Sequence, residues 1–134
     1  MECDFNTLAD TYLRHRALGR EEDFWAWQEV DRIVRADLAR GWEITLLLLK
    51  KTESDEALAY VAAGPLEDLV DGYGNAAFDI IERACDSDYR LQLALSGVWL
   101  DSDSPVLDRF RVLMTKYGFV KGKRQPLSRH QERP

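Results

Sequence analysis

Trp42-Glu43-Ile44-Thr45-Leu46-Leu47-Leu48-Leu49-Lys50-Lys51 is the stretch that decides the fold. Trp42, Leu46 and Leu49 fall on one stripe at helical spacing, and Ile44, Leu47 and Leu48 fall on another. A helix that is apolar on two sides needs neighbours on both, so this segment is expected at the middle of a helical core. Lys50 and Lys51 stand where positive charge suits a helix C-terminus. The apolar run is far shorter than the roughly 20 residues that a membrane span needs, and no contact with a membrane is expected.

Outward from this centre the same period recurs. Upstream, Phe5, Leu8, Ala9, Tyr12 and Leu13 make an amphipathic stripe, with Asp4 or Asn6 able to cap its start and Gly19 just past its end. A second helix opens at Glu21-Glu22-Asp23, where negative charge suits the N-terminal dipole, and presents Trp27, Val30, Val34 and Leu38. Downstream, Ser54-Asp55-Glu56 starts a helix that runs to about Ala63, where Gly64-Pro65 is expected to break it. Leu66, Leu69, Val70 and Tyr73 resume the spacing, and Asp71-Gly72-Tyr73-Gly74-Asn75 reads as a turn. Ala77, Phe78, Ile81, Ala84 and Cys85 form the next stripe, and Leu91, Ala94, Leu95, Val98 and Trp99 the one after. Leu91, Leu93 and Leu95 also alternate, which makes a short strand the rival reading there. Ser104 reads as an N-cap with Pro105 at the first helical position, ahead of Val106, Phe110, Leu113 and Tyr117, and Gly118 ends that helix.

These stripes predict an all-α protein of about seven short helices, either an antiparallel bundle or stacked helical hairpins. One domain over residues 1–118 is expected, followed by a basic, mobile tail over 119–134. The 134 residues suffice for one core, and a hydrophobic fraction of 46% with 31% charged residues is that of a soluble globular chain. Trp42 and Trp99 are expected in that core. Trp25 and Trp27 lie about 200° apart on a helix, so one is expected inside and the other at least partly exposed.

The net charge of −6 conceals an uneven distribution. Residues 53–108 carry thirteen acidic residues against Arg83 and Arg90 alone, whereas residues 109–134 carry eight basic residues against Glu132. Such patterning bears on partners more than on fold. The acidic N-terminus lacks the basic start and apolar run of a secretory signal, and Cys3 and Cys85 make no disulfide framework, so a cytoplasmic location is expected.

Catalytic and metal-binding constellations are sparse. His15 and His130 have no second histidine or cysteine at ligand spacing, and His15 between Arg14 and Arg16 reads as a solvated surface residue. Asp101-x-Asp103 fails as a calcium loop, because Val106 stands where glycine is needed and Val112 where glutamate is needed. Gly72-Tyr73-Gly74 lacks the preceding strand and the lysine or third glycine of a phosphate loop. No enzyme activity, cofactor or metal is therefore expected.

Gly64-Pro65-Leu66-Glu67-Asp68-Leu69-Val70 resembles the Gly-Pro-Leu-Glu-Asp-Leu-Leu signature of a domain of unknown function widespread in small bacterial proteins. Trp42 ahead of Ile44 to Leu49, and Gly97-Val98-Trp99 further on, match the surrounding pattern, so that the resemblance spans roughly Asp31 to Leu100. It implies an all-helical fold and a bacterial source, and no activity. Where that family has Asp-Pro before its Trp helix, this chain has Asp37-Leu38, so a continuous helix is expected there. The signature also has a structural explanation: a left-handed Gly64 ending one helix, Pro65 opening the next, and Glu67 and Asp68 in its first turn.

Two functions fit these features. The first is a non-enzymatic interaction domain, such as an immunity-type or inhibitor protein, that meets a basic protein through Glu67, Asp68, Asp71 and an exposed Trp25. The second is a nucleic-acid-associated protein whose tail residues Lys121, Lys123, Arg124 and Arg129 contact phosphates. The acidity of the domain opposes the second, since it repels the same phosphates.

Overall fold

Asp4 caps helix α1 (Phe5–Leu18) by accepting a hydrogen bond from the Thr7 amide at 3.2 Å. The helix ends as expected at Gly19, whose positive φ of 65° carries its amide back to the His15 carbonyl at 2.7 Å. The computed structural model describes residues 4–119. A single 3-10 turn (Glu21–Asp23) leads into α2 (Phe24–Ala36), and α3 (Leu38–Lys51), α4 (Asp55–Val61), a π-helical turn (Ala62–Leu66) and α5 (Glu67–Tyr73) come next. Helices α6 (Asn75–Cys85), α7 (Tyr89–Leu95) and α8 (Leu107–Lys116) follow among the described residues. The protein is all-α, and no strand occurs among the described residues; the alternating Leu91, Leu93 and Leu95 lie on α7.

Helix α3 is the centre, packing against α1, α2, α4, the π-turn, α5 and α7. Ile44 and Leu48 are fully enclosed, as befits a helix with apolar residues on two sides. Truncating either to alanine is expected to cost about 2–5 kcal/mol. Gly41 lets α2 and α3 approach: a Cβ there would meet the Val34 Cα and Leu69 Cδ2, each at 3.0 Å. Arg90 closes the far end of α3, donating to the Leu49 and Thr52 carbonyls at 3.2 Å each and to the Thr52 hydroxyl. Helix α8 is tied to α6 by Arg109, which donates to Glu82 at 2.7 Å, and its Tyr117 hydroxyl donates to Asp86, just past α6, at 3.0 Å.

Several sequence expectations are overturned. The chain breaks at Asp37, which is extended (φ −159°, ψ 121°) and caps α3 by accepting from the Ala39 amide at 3.1 Å. A proline is thus unnecessary for that turn, because the aspartate side chain supplies a start signal of its own. Gly64-Pro65 does not break the helix: α4, the π-turn and α5 follow one another without interruption. Pro65 has no amide hydrogen and its ring would clash with the carbonyl four residues back; the widened π-turn takes up both defects. Gly64 is not left-handed, and positive φ among the described residues is confined to Gly19, Gly74 and Gly118. The five-residue turn expected at Asp71–Asn75 shrinks to Gly74. Ser104 accepts from the Val106 amide at 3.4 Å as a cap should, although regular α-helix begins only at Leu107.

The buried face of α2 is Ala26, Val30, Ile33 and Val34, so Trp27 turns outward, 38% exposed, with Trp25 at 43%. Neither tryptophan is in the core. Trp99 is also 44% exposed, since α7 ends at Leu95 and the stripe that placed Trp99 inside does not continue. Trp42 is half-buried against the core. Phe119, one residue beyond the expected domain end, is buried, and its amide donates to the Met114 carbonyl at 2.8 Å.

Candidate functional site

Helix α2 and the rod formed by the π-turn and α5 leave a groove between them, and Tyr12 of α1 lines its narrow end. Trp27, Asp31 and Arg35 recur every four residues on α2, so they share a face and form one wall. The opposite wall repeats at three and four residues: Gly64 and Pro65 on the π-turn, then Asp68, Asp71 and Gly72. At one end is a tight cleft of about 40 Å³ lined by Tyr12, Trp27, Asp31, Pro65 and Asp68, among others. Beside it lies a wider groove of about 480 Å³ lined by Val34, Arg35, Asp68, Asp71, Gly72 and Tyr73. Asp68 and Val34 belong to both. The Tyr73 hydroxyl donates to the Val34 carbonyl at 2.8 Å, holding α5 to α2.

The polar groups of this groove are unequally satisfied. Arg35 donates to both oxygens of Asp31 at 3.1 Å, one turn away on the same helix. Asp68 is half-buried, and no hydrogen bond or ion pair engages it among the described residues. Burial raises its carboxyl above the ordinary range; Arg35 opposes the shift, and Asp31 and Asp71 reinforce it. Burial also raises Asp71, with Asp101 adding like charge. Tyr12 is only 3% exposed, and no group among the described residues hydrogen-bonds to its hydroxyl. That hydroxyl lies 3.3 Å from the point a Cβ on Gly64 would occupy, so the bare glycine gives it room at the cleft wall. Burial pushes the phenol well up, and Tyr60, Asp68 and Asp31 push it further, so it remains protonated at any physiological pH.

An aromatic surface adjoins the cleft. The Phe24 and Trp27 rings stack at 5.7 Å with 7° between planes, and His15 meets the other partner, Phe24, at 5.5 Å. His15 is thus half-buried in a ring cluster and not simply a solvated side chain.

Of the residues singled out in the sequence, the structure brings Asp68 and Asp71 together and separates the others. Glu67 points away and accepts a hydrogen bond from the Trp99 amide at 2.9 Å, anchoring the segment after α7. Trp25 lines neither the cleft nor the groove. Its neighbour Trp27 lines the cleft instead. Lys121, Lys123, Arg124 and Arg129 lie outside the described residues, as does Cys3. Sequence reasoning assigned Tyr12 and Trp27 to core stripes and passed over Asp31 and Arg35. The one available signal was the spacing of Trp27, Asp31 and Arg35 along a helix face. Among the described residues, no group of three or more His, Cys, Asp or Glu is placed to hold a metal ion, and no helix is long and apolar enough to cross a membrane.

A family model, described as a family of unknown function (DUF6869), matches residues 14–117. The match takes in every groove residue named above except Tyr12, two positions before its start. No curated protein and no solved structure matches the chain.

Proposed function

From a chain that belongs to a family of unknown function (DUF6869), we propose a non-enzymatic protein-interaction domain that binds a basic protein along the groove between α2 and α5. The observation that carries this reading is the gathering of Asp31, Asp68 and Asp71 in one groove against the single guanidinium of Arg35. Folding does not require it: burial makes Asp68 harder to ionise, so its charge is held there at some cost. Clustered carboxylates steer a cationic partner, and the exposed Trp27 supplies the amphipathic contact area typical of binding anchors. An immunity-type or inhibitor protein that neutralises a basic partner is one form this function takes. The same reading equates the Gly64–Val70 signature with the matched family, takes the source to be bacterial and puts the chain in the cytoplasm.

The test is capture of basic proteins from the native host by the full-length chain and by an Asp31→Asn/Asp68→Asn/Asp71→Asn variant. A specific partner is expected with the wild type at about 0.05 M salt, weakened at about 0.5 M as screening shortens the Debye length. It is expected to be lost with the variant. Capture that ignores both salt and the variant would refute the reading.

The basic block over residues 109–134 favours a second reading, nucleic-acid association through the tail. Truncation after Phe119, followed by a DNA- and RNA-binding assay, separates the two.

A further inference from the structure

The cleft beside Trp27 presents two polar groups with no protein partner, and they face the same small space. Tyr12 contributes a nearly enclosed hydroxyl and Asp68 a half-buried carboxylate, and neither is hydrogen-bonded among the described residues. Thr45 Oγ1 is the one wholly buried side-chain polar atom without a partner among the described residues, so the Tyr12 and Asp68 oxygens remain within reach of a group entering the cleft. From this geometry we infer that the Tyr12 hydroxyl, the Asp68 carboxylate and the Trp27 ring form a seat for a lysine side chain of the partner protein. The inference rests on the reading of the groove as a surface for a basic protein, and names the group that surface takes.

The chemistry fits term by term. A lysine ammonium has three donors: one goes to an Asp68 oxygen, one to the Tyr12 oxygen, and the third is left for water or Asp31. The Asp31 carboxylate is already engaged by Arg35, so it adds charge to the seat more than a contact. Trp27, stacked on Phe24 and thereby held in place, offers a ring to the methylene stem and its electron-rich face to the cation. A water-sized centre needs roughly 10–15 Å³, so a cleft of about 40 Å³ suits a compact ammonium with its last methylene. A planar guanidinium is wider than a compact ammonium, and the tight cleft has less room for it. The adjoining groove along Arg35, Asp71 and Gly72 has room for the residues on either side of the lysine.

The test titrates the full-length chain with octalysine, octaarginine and fully Nε-acetylated octalysine, following binding by calorimetry. Wild type is expected to bind octalysine and not its acetylated form. Tyr12→Phe and Trp27→Ala are each expected to weaken octalysine about five- to tenfold, as loss of one charge-assisted hydrogen bond or one cation–π contact does. Their effect on octaarginine is expected to be smaller. Tyr12→Phe removes a hydroxyl with no hydrogen-bond partner among the described residues, so its melting temperature should equal or exceed that of wild type. A clear drop would show the hydroxyl to serve the fold and would overturn the inference. Octalysine binding that needs Asp31, Asp68 and Asp71 but is indifferent to Tyr12→Phe and Trp27→Ala also overturns the inference, and leaves the proposed function standing. Octalysine that fails to bind, or binds without regard to the three carboxylates, removes both. Spermidine displacing octalysine at equal amine concentration would assign the seat to free polyamines, and so also overturns the protein-lysine assignment.

Discussion

Arg14 grips both carboxylate oxygens of Asp23, with its Nε at 2.9 Å from one and its terminal nitrogen at 2.8 Å from the other. The Asp23 side chain is 2% exposed and that of Arg14 49%, so this fork joins α1 to the start of α2 at the edge of the core. The hydrogen bonds from Arg14 outweigh burial and hold the Asp23 carboxyl below its ordinary range. A carboxyl lowered in the folded state binds fewer protons there than in the unfolded chain. Its stabilisation is complete above the ordinary value of about 4 and is lost as pH falls through the lowered one. Arg14→Gln should therefore lower stability at neutral pH and flatten the loss on acidification. Urea denaturation of both proteins across the acid range checks this, and parallel profiles would contradict it.

Asp68 has the opposite sign. Its raised carboxyl binds more protons folded than unfolded, so stability falls as pH rises through the window between the ordinary and raised values. Asp68→Asn should raise the melting temperature at neutral pH, and the gain should vanish in acid, where the carboxyl is protonated in both states. Binding of the basic partner should fall in the same variant, a stability-for-function exchange expected of a site and not of a core.

The Gly64 and Tyr12 relationship can be read by a double-mutant cycle. A Cβ at Gly64 would crowd the Tyr12 hydroxyl, so Gly64→Ala should be tolerated better in a Tyr12→Phe background than in wild type. The coupling expected for such touching residues is about 0.5–3 kcal/mol. Additive effects would show that Gly64 is kept for the π-turn alone.

Gly41→Ala should cost about 1–3 kcal/mol, the usual range for overpacking, because the added methyl meets the Val34 backbone and backbone cannot swing aside. Thermal or urea unfolding measures it.

The Thr45 hydroxyl on α3 is buried with no hydrogen-bond partner among the described residues. Thr45→Val keeps the shape and removes that group, and is expected to stabilise the protein by about 1–2 kcal/mol. Destabilisation by a similar amount would mean that the hydroxyl has a partner in solution.

The helices and their buried stripes were legible in the sequence because an amphipathic helix writes its period locally: α1 with its Asp4 cap and Gly19 stop, the two-sided α3, and α8 stopping just before the left-handed Gly118 are all settled by neighbours within a few residues. So was the carboxylate pair Asp68 and Asp71, three positions apart on one helix. What the tertiary structure decided was rotation, continuity and company. Which side of α2 faces inward depends on where α1 and α3 lie, and that turned Trp27 from a core residue into the wall of a cleft. Gly64-Pro65 carries the local signals of a break, yet packing of the rod across α2 and α3 keeps the chain helical through a π-turn. Asp23 sits in an acidic run that reads as helix-start charge, and only the tertiary structure shows it buried and paired with Arg14, nine residues earlier. The cleft itself needs Tyr12, Trp27 and Asp68 from three separate elements, and periodicity within one element carries no information about side chains that meet across several.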